Sequence, residues 1–97
     1  MNKQTLARIP SSIDQLKEEL TQLDLSGNNS IKELPPSIGS LQRLTEINLQ
    51  RCSLWGLPAE MANLTELKEL NLIDCPQLKT IPFQFRKLKQ LSSLKLS

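Results

Sequence analysis

The sequence predicts a right-handed α/β solenoid of about four repeats, with a parallel sheet on the concave side of an arc and short helices on its convex side. An apolar phrase returns at Leu23, Ile47, Leu70 and Leu94, in steps of 24, 23 and 24 residues. Between its copies an apolar residue followed by proline also recurs, and apolar residues at spacings of three or four follow each proline. Repetition at this period indicates one strand and one helical segment per unit.

The repeated phrase supplies the strands. Aligning its copies places them at about 22–26, 46–50, 69–73 and 93–97, each with apolar residues at alternate positions. Such alternation buries one face of a strand and leaves the other outside. We therefore expect parallel strands that line the concave side of the arc.

Proline marks the start of each outer segment, where its missing N–H costs little. The apolar-proline pairs are Ile9-Pro10, Leu34-Pro35, Leu57-Pro58 and Ile81-Pro82. The apolar stripes that follow, at 38-41-44, 61-64-67 and 85-88-91, are typical of the buried face of a short helix. The earliest segment, 13–20, is richer in helix-forming residues, and we expect a fuller helix that partly caps the N-terminal end.

Residues 1–97 are expected to form a single domain. Residues 1–21 are a partial N-terminal repeat, and the last repeat is truncated at Ser97 within its strand. No polar capping element covers Leu94 and Leu96. Two explanations stay open: the chain is a piece of a longer protein, or its last strand pairs with another chain.

Composition narrows the function classes. The two cysteines lack metal-binding spacing and histidine is absent, so we expect no metal, and no motif indicates a cofactor or an enzyme. Aromatic residues make up 3% of the chain, which argues against single-stranded nucleic acid as a partner. No stretch is apolar enough to span a membrane, and the start lacks the apolar centre of a signal peptide, so a cytoplasmic protein is expected.

Charge is unevenly distributed although the net charge is only +2. Residues 79–97 contain no acidic residue, whereas acidic residues outnumber basic ones in residues 1–78. The basic residues of this last part are Lys79, Arg86, Lys87, Lys89 and Lys95. The run 86–89 could meet an anionic surface, but we expect it to be the solvated face of an outer helix.

Residues 34–49 and 57–72 carry the more specific pattern L-P-x-x-[I/M]-x-x-L-x-x-L-x-x-L-x-L. They resemble leucine-rich repeats, and the resemblance covers nearly the whole chain. The subtype is similar to repeats of intracellular Ras-group proteins, plant disease-resistance receptors and plant-pathogen effectors, and the cysteine variant at 72–82 looks most like the latter two. The resemblance implies a small GTPase, a signalling protein or a host target as partner, in the cytoplasm of the cell or of a host.

Asn28, Cys52 and Cys75 share one position of the repeat. We expect their side chains to turn inward and bond loop backbone groups that would otherwise be buried without partners. Neighbouring strands about 4.8 Å apart keep the two cysteine β-carbons wider apart than a disulfide prefers, so free thiols are expected.

Outward-facing positions of the concave wall are the candidate protein-binding residues, and we expect the fold not to need them. They are Gln22, Asp24, Ser26, Glu46, Asn48, Gln50, Arg51, Glu69, Asn71, Ile73, Asp74, Ser93 and Lys95. Glu46 and Glu69 lie on adjacent rungs of one column, which is a repulsive arrangement unless solvent or a partner compensates it. Ile73 is expected to be exposed among polar residues and could anchor a partner.

Trp55 is a further protein-binding candidate, on the descending flank that follows the strands. It aligns with Lys32 and Lys79, positions that should point outward. Exposed tryptophan often anchors an interface, although a chance surface position is about equally compatible with the pattern.

Three functions are compatible with the sequence. The first is an adaptor whose acidic and polar concave wall meets a basic patch of another protein. The resemblance implies an alternative form of this function, in which the chain is the substrate-binding part of a larger effector or ubiquitin ligase. The second is self-assembly through the uncapped C-terminal strand, giving a homo-oligomer. The third and weakest is anion or nucleic-acid binding by the basic last repeat.

Overall fold

Parallel strands pair in the order in which they occur along the chain. The computed structural model describes residues 3–5, 20–28 and 31–96. Within these ranges the sheet has five strands: β1 (Lys3–Thr5), β2 (Gln22–Asp24), β3 (Glu46–Asn48), β4 (Glu69–Leu72) and β5 (Ser93–Leu96). Leu23, Ile47, Leu70 and Leu94 stand in register across four of them. The repeat alignment predicted from the sequence is therefore confirmed.

Two details of the strands differ from the prediction. Strand β1 was not predicted, because Lys3–Thr5 contains no apolar residue that would indicate alternation. The regular strands β2 and β3 are also shorter than predicted, although inter-strand hydrogen bonds continue beyond them. Leu25 N–H donates to the Asn48 carbonyl at 2.8 Å, and Gly27 N–H donates to the Gln50 carbonyl at 2.8 Å.

The outer segments are short 3₁₀ helices. They span Pro36–Ser40, Ala59–Asn63 and Phe83–Lys87, and we call them the first, second and third outer helices. Each follows a proline, as the sequence predicted, and Pro35 and Pro58 have an extended backbone. Leu41 N–H donates to the Ile38 carbonyl at 3.2 Å, and Leu44 N–H to that of Leu41 at 3.0 Å. Apolar residues spaced by three fit the threefold turn of a 3₁₀ helix better than an α-helix.

The fuller N-terminal helix predicted over 13–20 lies outside the described residues, apart from Leu20. That leucine is 1% exposed and belongs to the core. The rest of the core consists mainly of leucine, isoleucine and methionine side chains, which pack between the sheet and the outer helices. Full burial of each such side chain contributes about 1.5–3 kcal/mol. No buried polar or charged side chain occurs in the part of the chain that the structure describes.

Asn28, Cys52 and Cys75 form a ladder beneath the turns that follow the strands. Asn28 Nδ2 donates to the Leu25 carbonyl at 2.9 Å, and the Cys52 thiol lies 3.0 Å from the same oxygen. The Cys75 thiol lies 3.1 Å from the Leu49 carbonyl. The prediction that this position turns inward to bond backbone groups is confirmed. Both thiols are free, and burial raises the pKa of the Cys52 thiol by penalising its charged form.

The residue before each ladder position has a left-handed backbone. The φ angles are 76° at Gly27, 61° at Arg51 and 60° at Asp74. This conformation turns the chain from the concave wall toward the outer side of the arc. Only glycine adopts it without steric cost, so two of the three turns hold a residue that is mildly strained.

Candidate binding surface

Alternate side chains of β2 to β5 line a groove on the concave face. Its polar members are Gln22, Asp24, Glu46, Asn48, Glu69, Asn71, Ser93 and Lys95. Leu23, Ile47 and Leu70, whose side chains belong to the core, also border the groove, which encloses about 600 Å³, including solvent at its open side. The structure thus brings together the strand residues that the sequence analysis gave as candidate protein-binding residues. Ser26, Gln50, Arg51, Ile73 and Asp74 do not line this groove, because they belong to the turns after the strands.

Gln22, Glu46, Glu69 and Ser93 form one column across the groove. Glu46 pairs in register with Gln22 on one side and with Glu69 on the other. Gln22 Nε2 donates to Glu46 Oε2 at 2.7 Å, which holds that carboxylate toward β2. Glu69 is exposed, whereas Glu46 is half-buried. The expected like-charge neighbours are present, and the Gln22 amide is a compensating partner that the sequence pattern did not reveal.

The next column, Asp24, Asn48 and Asn71, has a structural role. Asp24 Oδ1 accepts the backbone N–H of Ser26 at 3.0 Å. In the same way Asn48 accepts from residue 50 and Asn71 from residue 73, each at 3.1 Å. A short carbonyl-bearing side chain that bonds the backbone two residues on stabilises a turn. The expectation that the fold does not need these positions was therefore wrong.

The turn positions vary in exposure. Ile73 is half-buried and not exposed as predicted, which reduces its apolar contact area. Arg51 and Asp74 are exposed. Their left-handed backbone conformation determines the direction in which their side chains leave the chain. Asn71 Nδ2 donates to Gln50 Oε1 at 3.4 Å, so Gln50 is linked to the neighbouring rung. These side chains lie at the margin of the concave wall.

A second groove lies on the descending flank, between residues 33–36 of one repeat and residues 55–58 of the next. Trp55 is 58% exposed there, in agreement with the outward orientation predicted for it. Its backbone N–H donates to the Lys32 carbonyl at 3.1 Å, so the two segments run side by side. Its side chain borders a depression of about 770 Å³, including open solvent. Trp55 is therefore not part of the concave groove.

Phe83 is an exposed aromatic residue that the sequence reasoning missed. It is 70% exposed at the start of the third outer helix. The Arg86 guanidinium carbon lies 5.6 Å from the centre of its ring, within the range of a cation–π contact. Aligning Phe83 with the exposed residues Pro36 and Ala59 would have indicated an outward position. The basic run 86–89 is solvated as predicted, except for the buried Leu88.

The concave groove offers hydrogen-bond acceptors and donors on a gently curved wall. Its ionisable side chains are half-buried or exposed. No group of three or more histidine, cysteine or acidic side chains within metal-binding reach occurs among residues 20–28 and 31–95. None of the described helices has the length and apolar character needed to cross a bilayer. The arrangement is suited to reversible contact with another macromolecule.

Comparison with known proteins gives consistent results. A family model of leucine-rich repeat regions matches residues 1–97. The disease resistance protein RML1A of Arabidopsis thaliana is 41% identical over 73 residues, which are 74% of this chain and 7% of that protein. This chain spans between 2% and 7% of the length of three such curated relatives.

Two solved structures have the same architecture. The leucine-rich repeat domain of the type III effector XopL superposes with a TM-score of 0.83 at 27% identity, over 97% of this chain and 35% of that one. The plant peptide hormone receptor RGFR1, in complex with RGF2, gives a TM-score of 0.63 at 30% identity, over 92% of this chain and 18% of that one. Repeats of this kind generally mediate protein–protein interaction. The chain belongs to the leucine-rich repeat family.

Proposed function

We propose that this domain recognises a partner protein through its concave groove. The observation that carries the proposal is the column Gln22, Glu46, Glu69 and Ser93. Its side chains face the groove, and the described hydrogen bonds tie none of them to the backbone turns. Because folding does not fix their identity, these side chains are available to a partner. Curved repeat surfaces of this kind serve as extended binding sites.

The partner is expected to present a basic patch. Glu46 and Glu69 stand on adjacent strands, about 4.8 Å apart at the backbone, and Asp24 adds a carboxylate one strand away. A lysine or arginine placed opposite this wall would relieve the repulsion between the neighbouring carboxylates. Lys95 lies at the other end of the groove and carries a positive charge. This difference in charge along the groove would orient the partner along the arc.

The relatives suggest the biological setting. A disease resistance protein, a type III effector and a plant peptide hormone receptor are all similar to this chain. We infer a role in intracellular signalling or in host–pathogen recognition, in the cytoplasm of the producing cell or of a host. Because the relatives are much longer, the domain would act as the recognition part of a larger protein.

A matched pair of charge-reversal variants tests the site. The Glu46→Lys/Glu69→Lys variant is compared with Glu60→Lys/Glu66→Lys, which makes the same charge change at exposed positions on the outer side. Proteins captured from cell lysate by the native domain are identified by mass spectrometry, and association rates of purified partners are then measured at low and high salt. A partner that is lost only with the concave variant, and whose association slows most at low salt, supports the proposal. Equal capture by both variants would overturn it.

A further inference from the structure

The groove beside Trp55 is separate from the concave face, and the proposed function does not use it. Leu34 and Leu57 form its base, with 5% and 8% of their surfaces exposed. Pro36 and Pro58 form part of its sides, together with the exposed indole of Trp55. The walls of the depression are therefore mainly apolar.

Gly56 lines this groove and adds no side chain to it. A β-carbon built on Gly56 would meet no atom within 4 Å, whereas the equivalent positions of the neighbouring repeats carry Glu33 and Thr80. The backbone of Gly56 does not have a positive φ, so nothing in its conformation demands glycine. A side chain at this position would therefore extend into open space beside the groove without displacing any atom of the fold.

The chemistry of the walls indicates what kind of ligand fits. An indole ring beside proline rings offers flat apolar surfaces, and the indole N–H can donate to a carbonyl of a ligand. Extended proline-containing segments dock into aromatic-lined grooves in this way, because their polyproline II form is preformed and its carbonyls are free. A groove that runs between two repeats is suited to an extended chain.

The negative charge at the edge of the groove places a second requirement on the ligand. Glu33 is exposed and is the ionisable residue among those that line the groove. A basic side chain next to the apolar part of the ligand would pair with its carboxylate, and arginine fits best because its planar group also stacks on aromatic rings. We propose that the Trp55 groove is a second binding site, for an extended proline-containing segment of another protein that carries one arginine.

Trp55 is the one tryptophan in the sequence, so its fluorescence reports directly on this groove. The experiment titrates the domain with short synthetic proline-rich peptides that contain one arginine, and with the same peptides carrying glutamate in its place. We expect a saturable change in emission with the arginine peptides and binding weaker by about fivefold with the glutamate peptides. The Glu46→Lys/Glu69→Lys variant should give the same titration as the native domain, which separates this site from the concave groove.

Two variants keep the fluorescent reporter and alter the groove. Gly56→Thr introduces the side chain that the next repeat has at this position and should abolish the emission change. Glu33→Lys should weaken binding of the arginine peptides by about fivefold, while Glu66→Lys, an equal change elsewhere, leaves it intact. Circular dichroism confirms that each variant is folded.

Three results would overturn the proposal. The first is an absence of any emission change with all peptides, and the second is an equal response from Gly56→Thr. The third is an emission change that follows protein concentration without peptide, together with a rise in sedimentation mass. That result would assign the groove to a second copy of this chain.

Discussion

The backbone carbonyl of Glu60 occupies the space that a β-carbon on Gly39 would need. This contact joins the first and second outer helices, and it lets their backbones approach more closely than two side chains would allow. Gly39 is buried, so the helices cannot separate without opening the core. Ala62 stands at the equivalent position one repeat later, which shows that the next pair of outer helices accommodates a methyl group.

Replacing Gly39 with alanine should destabilise the domain by about 1–3 kcal/mol, because either the first or the second outer helix must shift. Gly56→Ala is the matched control, since its β-carbon would meet nothing within 4 Å, and it should change stability by less than about 0.5 kcal/mol. Urea unfolding followed by circular dichroism measures both. Equal stabilities of the two variants would show that the outer helices adjust freely.

Gly27→Ala should cost about 1 kcal/mol for a different reason. Its β-carbon would also meet nothing within 4 Å, so the cost arises from the φ of 76° alone. The reverse change, Arg51→Gly, removes a side chain from a residue with a φ of 61° and should be neutral or mildly stabilising. Thermal unfolding of the two variants beside the native chain tests the pair. A loss of stability in Arg51→Gly comparable to that in Gly27→Ala would contradict the turn argument.

Asn48→Ala should destabilise the domain by about 0.5–1.5 kcal/mol, because it removes the acceptor for the backbone N–H of Gln50. Asn48→Asp retains that acceptor and imitates Asp24, so it should restore most of the lost stability. The control is Glu69→Ala in the neighbouring column, for which we expect a change of less than about 0.5 kcal/mol. Chemical unfolding distinguishes these cases. A cost for Glu69→Ala equal to that of Asn48→Ala would remove the distinction between the two columns.

Cys52 should make stability depend on alkaline pH. Burial raises the pKa of its thiol in the folded state above the ordinary value of 9.0. The stability contributed by the neutral thiol is therefore fully present below the unfolded pKa, and it is lost as pH rises through the folded pKa. The difference in unfolding free energy between the native chain and Cys52→Ala should shrink as pH rises above 9.0. A difference that stays constant across this range would contradict the prediction.

Much of the architecture could be predicted because the repeat is set by spacing. The steps between Leu23, Ile47, Leu70 and Leu94 define which backbones pair, and the prolines define where the outer helices begin. Strand β1 could not be predicted in this way, since its pairing depends on backbone groups and its residues carry no periodic signal.

The sequence predicted which residues belong to the candidate site. It did not predict which of them stabilise the turns and which do not. Outward direction follows from alternation along a strand, and this brought Gln22, Glu46 and Glu69 into the groove as expected. Whether an outward side chain bonds a partner or its own backbone depends on local turn geometry. Asp24 and Asn48 therefore looked equivalent to their neighbours until the hydrogen bonds to the turns were known.

The division between the two concave columns has a consequence for how recognition can change. Substitutions at Asp24, Asn48 or Asn71 alter a turn and a contact surface together, so few residue types are acceptable there. Gln22, Glu46, Glu69 and Ser93 can be exchanged without disturbing any turn. Reprogramming of this domain toward a new partner, by selection or by a designer, should therefore begin in that column, one side chain per repeat.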